Sequence, residues 1–237
     1  MPAIAALAIS SCCYRPPNGA RCVSRDSPFA SVASAAPPLT EPNDRRADTS
    51  YDGAIAPPES THVNRLEQIA LMATYNQWMN RKVYDAAAKL TDAELRMDRR
   101  AFFGSILGTL NHLTLGDTVW LKRFAQHPAG HSALAPLSAI AAPTDLKHLA
   151  FANLHELATH RAWLDRLIID WAQSLREPDL DLRLQYHNMR GIAADKPFFS
   201  LLVHFFNHQT HHRGQVTTLL TQAGHDVGDT DLLALID

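Results

Sequence analysis

The stretch LLVHFFNHQTHHRGQVTTLLTQAG, residues 201–224, decides the fold. Leu201, Phe205, His208, His212, Val216 and Leu219 step by three or four residues, the spacing of one helix face. Four of these positions are apolar, so the face is a core face, and two histidines interrupt it. Residues four apart on a helix have Cβ atoms about 5–6 Å apart, close enough for two imidazoles to converge on one ion. Spacing alone permits His204 with His208 equally well. The stripe favours His208 with His212, because His204 and His211 project toward its edges.

Working outward, the helix is expected to open near Lys196 and Pro197, since proline suits a first turn, and to end at Gly224. Before it, Leu180, Leu182, Leu184 and Tyr186 alternate with polar neighbours and Gly191 signals a turn, the pattern of an extended segment or small hairpin. A third long helix is expected from Thr144 or Asp145 to about residue 176, with Leu149, Leu154, Leu157, Trp163, Leu164, Leu167 and Trp171 on its core side. Pro and Gly mark residues 127–143 as a loop. The second helix lies in RAFFGSILGTLNHLTLGDTVWLKRFAQ, residues 100–126, with Phe103, Ile106, Leu110, Leu113, Val119 and Phe124 facing the core. Thr91 or Asp92 caps a short turn before it, and the first helix follows residue 62, carrying Leu66, Ile69, Ala73, Trp78, Val83 and Leu90. DTDLLALID forms a short helical tail. Four long amphipathic helices with one long crossover predict an all-α four-helix bundle over residues 61–237.

Residues 1–60 read differently. They hold all three cysteines, Cys12, Cys13 and Cys22, and are rich in Ala, Ser and Pro without a sustained period. This predicts a disordered N-terminal extension. MPAIAALAISSC resembles a short lipoprotein signal but lacks a basic segment, and an over-extended gene start accounts for the same composition. With no cysteine in the folded part, a disulfide framework, a thiolate nucleophile and a zinc–thiolate cluster are excluded there. The 237 residues carry a formal net charge of -2 and 19% charged residues, so nucleic acid is not an expected partner. No apolar run approaches the roughly 18 residues of a membrane span. The expected state is therefore a soluble, cytoplasmic domain.

Of the thirteen histidines, His112 in the second helix is offered as a candidate third member of the group. It sits in GTLNHLTLGD with Gly108 one turn before it and Gly116 one turn after it, on the same face. Such small neighbours predict either a cavity beside the imidazole or a close helix contact.

YNQWMNRKVYDAAAKL, AFFGSILGTLNHLTLGDTVWLKRF and LLVHFFNHQTHHRGQVTTLLTQAG together resemble the helices of the DinB family, in the DinB/YfiT-like superfamily. The likeness spans residues 65 to about 236, and its most specific part is the run Asn207 to Gln215. Carried over residue by residue, it implies that His112, His208 and His212 are metal ligands. Three nitrogen ligands without a carboxylate or thiolate imply an open site of the catalytic type, for Zn, Ni, Fe or Mn. Asn111, Asn207, His211 and Gln215 are candidates to orient the rings, and Tyr75, Asn76 and Trp78 to line a pocket. The likeness implies a metal-dependent enzyme acting on a small-molecule substrate, either a transferase using a low-molecular-weight thiol or a hydrolase, and a homodimer. A non-catalytic metal-binding stress-response protein is the alternative.

Overall fold

The computed structural model describes residues 64–236. The expected N-terminal extension and its cysteines lie outside the described residues, as does most of the segment read as leading into the first helix. Helix α1 (Arg65–Ala87) starts where the Asn64 side chain accepts from the backbone N–H groups of Leu66 and Glu67. A single turn, α2 (Asp92–Arg96), follows, with Thr91 and Glu94 capping it reciprocally. Helix α3 spans Ile106–Phe124, α4 Leu154–Ser174 and α5 Phe198–Gln222. Between α4 and α5 lies an antiparallel hairpin, β1 (Arg183–His187) and β2 (Ala193–Pro197), in which Gln185 faces Asp195. Short 3₁₀ turns occupy Ser132–Ala139, Glu177–Asp181 and Leu232–Leu235. The architecture is thus mostly helical, with one small two-stranded sheet among the described residues. No helix of the described residues is long and apolar enough to cross a membrane.

Helix α1 ends at Ala87, short of the expected Leu90, and α5 at Gln222, short of Gly224; two helix starts differ more widely from the sequence expectation. The second long helix begins at Ile106, not near Arg100, because Ser105 caps it by accepting from Gly108 N–H, and Gly104 turns the chain at φ +73°. Phe103 therefore lies in the turn instead of in the helix. The third long helix begins at Leu154, not at Thr144 or Asp145. Asn153 accepts from Glu156 N–H at 2.9 Å, a stronger start signal than the threonine nine residues earlier. Leu149, expected on a core stripe, is exposed in the preceding loop.

The long helices pack α1 on α4, α4 on α3, α3 on α5 and α5 on α1. Their buried side chains form two apolar clusters. One holds Phe124, Trp171, Phe198 and Phe205, the other Leu107, Leu110, Leu157 and Leu220. Helices α1 and α5 run from the first cluster to the second, as Ala73 to Val83 and Phe206 to Val216 show, whereas α3 and α4 run the opposite way.

Each helix carries polar residues between its two apolar stretches, and these meet in a buried layer. Arg161 donates to Asp117 at 2.5 Å and pairs with Asp165 at 2.9 Å. Asp165 also accepts from Asn76 and Asn80, and Asp117 from Gln209. Arg213 donates to the side-chain oxygen Oδ1 of Asn76. Arg161 is held firmly protonated by the two carboxylates despite its burial. Charges buried this way are tolerated because each meets a partner across a helix boundary.

Candidate metal centre

Three imidazoles gather where α3 meets α5, the side chains of His112, His208 and His212. One ring nitrogen from each lies within 4.8 Å of the others. His112 Nε2 and His212 Nε2 are 3.1 Å apart, and the ring centroids of His208 lie 4.5 Å from His212 and 5.4 Å from His112. Two nitrogens bound at about 2.0–2.1 Å to one tetrahedral ion stand roughly 3.3 Å apart. The His112–His212 pair already has that separation, and His208 needs only a modest shift to join it.

The partners of the other ring nitrogens define how the pair presents itself. His112 Nδ1 donates to the Leu146 carbonyl at 3.1 Å, and His212 Nδ1 donates to Gln215 Oε1 at 2.9 Å. Each Nε2 then carries a lone pair, and the two lone pairs face each other. Uncompensated, that arrangement is repulsive; an ion between them makes it favourable. Gln215 in turn donates to His211 Nε2 at 3.2 Å, so His211 supports His212 at one remove. His208 Nδ1 is buried with no hydrogen-bond partner among the described residues, so packing alone orients this ring.

That packing explains the glycines. A methyl carbon built on Gly116 would lie 2.9 Å from His208 Cε1, and one on Gly108 would strike the Phe103 carbonyl. The small residues therefore admit a facing imidazole and a turn, and they do not leave a cavity beside His112. Phe103 stacks on His112 at 3.8 Å between centroids and an 18° interplanar angle, and presents its ring edge-on to His212. Its role was hidden by reading it as part of the helix; the glycine after it and the serine cap were the available signals.

Burial keeps all three imidazoles neutral. His112 is pushed down to about 4, chiefly by desolvation, and His208 to about 3 by desolvation and then by His212 and His112. Desolvation also lowers His212, against the opposing bond to Gln215. Neutral imidazole is the ligating form, so the donor set suits a divalent ion at neutral pH.

Among the other sequence candidates, Asn111 is buried and donates to the Leu107 and Phe151 carbonyls while accepting from Phe151 N–H at 2.9 Å. It fixes the loop that brings Leu146 to His112 and does not itself touch the imidazoles. Asn207 is exposed and makes no side-chain hydrogen bond among the described residues. Tyr75, Asn76 and Trp78 have their partners elsewhere. Tyr75 donates to the Thr230 carbonyl at 2.7 Å, Trp78 lies under Lys82, and Asn76 belongs to the buried polar layer. No hydrogen bond or ring contact joins them to the three histidines. The Leu146 carbonyl could not be found by sequence, because a backbone acceptor leaves no residue signature.

A mostly helical protein with a three-histidine cluster between two of its long helices defines the class. Within that class, the DinB family profile matches residues 60–237. The chain belongs to the DinB family. It is 27% identical over 157 residues to the Protein DinB of Bacillus subtilis (strain 168), an alignment covering 66% of this chain and 87% of that relative. No solved structure matches the chain.

Proposed function

We propose that His112, His208 and His212 hold a divalent metal ion, Zn, Ni, Fe or Mn, with coordination positions left open, and that the protein is a metal-dependent enzyme acting on a small molecule. The observation that carries this reading is the pair of Nε2 atoms 3.1 Å apart, each aimed by a bond on its far nitrogen. An ion held by three neutral imidazoles lowers the pKa of a water or thiol entering its open position, so S-transfer from a low-molecular-weight thiol and hydrolysis are the two reactions in view. The chain supplies orientation: Leu146 and Gln215 fix the tautomers, Gly116 admits His208, and the Phe103 ring keeps water off one side of His112. Family likeness supports the rest of the reading, a four-helix bundle with the hairpin segment in its long crossover, assembled as a homodimer in the cytoplasm.

The test is to incubate metal-loaded protein with a thiol and an electrophilic acceptor, and separately with activated esters. Metal-dependent consumption of one substrate pair, lost in His112→Ala, is the expected result. If metal-loaded protein consumes neither, the non-catalytic, metal-binding stress protein replaces this reading.

A further inference from the structure

The arginines Arg65, Arg96, Arg161, Arg176 and Arg183 each face a carboxylate. Arg123 does not. Its guanidinium lies 4.7 Å from the Trp120 ring centre and 4.9 Å from that of Tyr186, and it forms no ion pair or hydrogen bond among the described residues. The nearby hairpin carboxylate, Asp195, is taken by Arg183 at 2.8 Å. Two aromatic faces thus fix a planar cation while leaving its N–H donors free. Burial lowers the pKa of this guanidinium.

Arg123 lines a cleft of about 540 Å³ between α3, the Ser132–Ala139 turn and the hairpin loop, a volume in the range of small-molecule sites. The cleft has both polar and apolar wall. Lys122, His187 and Asn188 line it together with Arg123, and no acidic side chain of the described residues does; Leu134, Leu137 and Pro143 supply apolar wall. Lys122 is partly committed, donating to the Leu137 carbonyl at 2.7 Å, which leaves Arg123 as the principal free donor.

We propose that this cleft binds a small organic anion, with its carboxylate or phosphate on Arg123 and its apolar body against Leu134, Leu137 and Pro143. The fork of the guanidinium matches the planar edge of such a group. None of the three histidines lines this cleft, and the proposal does not depend on a metal being bound by them.

The test titrates the full chain with phenylacetate, phenyl phosphate and neutral phenylacetamide, followed by calorimetry or ligand-observed NMR. At least one anion is expected to bind roughly tenfold or more tightly than the amide, and which one binds separates a carboxylate from a phosphate ligand. Arg123→Gln is expected to remove that preference. Ala142→Trp, a change at an exposed wall position, fills the cleft with Arg123 intact and is expected to abolish binding. It decides the matter if Arg123→Gln does not fold. The proposal is overturned if no anion binds more tightly than about 10 mM, if the amide binds as well as the anions, or if a folded Arg123→Gln or Ala142→Trp variant binds like wild type.

Discussion

Replacing Gly116 by alanine places a methyl carbon 2.9 Å from His208 Cε1. Ordinary carbon contacts begin near 3.5 Å, so the imidazole must retreat by about half an ångström or α3 and α5 must separate by as much. Metal–ligand distances tolerate about 0.2 Å, and His208 has no hydrogen bond to re-aim it. The expected outcome is a loss of metal affinity of roughly 10- to 100-fold, the size seen when a ligand is mis-oriented, measured by competition with a chromophoric chelator. Alanine favours a helix over glycine by about 1 kcal/mol, so the variant should stay folded. Gly214→Ala is the control. It lies on α5 two residues after His212 at an exposed position, nothing stands within 4 Å of its added carbon, and it should gain about 1 kcal/mol of stability with unchanged metal affinity. If Gly116→Ala binds metal as wild type does, His208 is not held by this contact and the assembly of the site has been misread.

Gln215→Leu removes the acceptor that fixes the His212 tautomer and should lower metal affinity roughly 10- to 100-fold, whereas Asn207→Ala should leave it unchanged in the same competition assay. Arg161→Met strands two buried carboxylates, Asp117 and Asp165, and should cost about 3–5 kcal/mol in urea unfolding; a cost below about 1 kcal/mol would contradict the ion pairing described. Protein stripped of metal should lose stability as pH falls from about 6.5 through about 4. Desolvation holds His112 and His208 below their unfolded value, so the unfolded chain binds more protons across that window and acid favours it. Denaturant midpoints measured at pH 7, 5.5 and 4.5 check the sign.

The long helices could be read from apolar periodicity because each buries one stripe, and α5 could be read best because its stripe continues through His208 and His212. The convergence of His112 with that stripe was implied by the family likeness, whereas its flanking glycines left a cavity and a close helix contact both open; the space they leave is filled by His208 and the Phe103 turn. The helix starts were misjudged where a cap competes with periodicity: Ser105 and Asn153 begin α3 and α4 later than the apolar spacing implies. The buried polar layer was not legible. Asn76, Asp117, Arg161 and Arg213 are types usually found on a solvated face, and only the packing of four helices shows that each has its partner on another. Tyr75 and Trp78 have their contacts away from the three histidines for a related reason, since helical phase does not say which neighbour a face meets.

The most direct measurement is elemental analysis of protein purified without chelator, comparing wild type with His112→Ala, His208→Ala and His212→Ala. A divalent metal in near-stoichiometric amount in wild type, lost or strongly reduced in each variant, is the predicted result. Wild type free of metal under those conditions, or a folded His112→Ala variant that keeps it in full, would contradict the three-histidine centre.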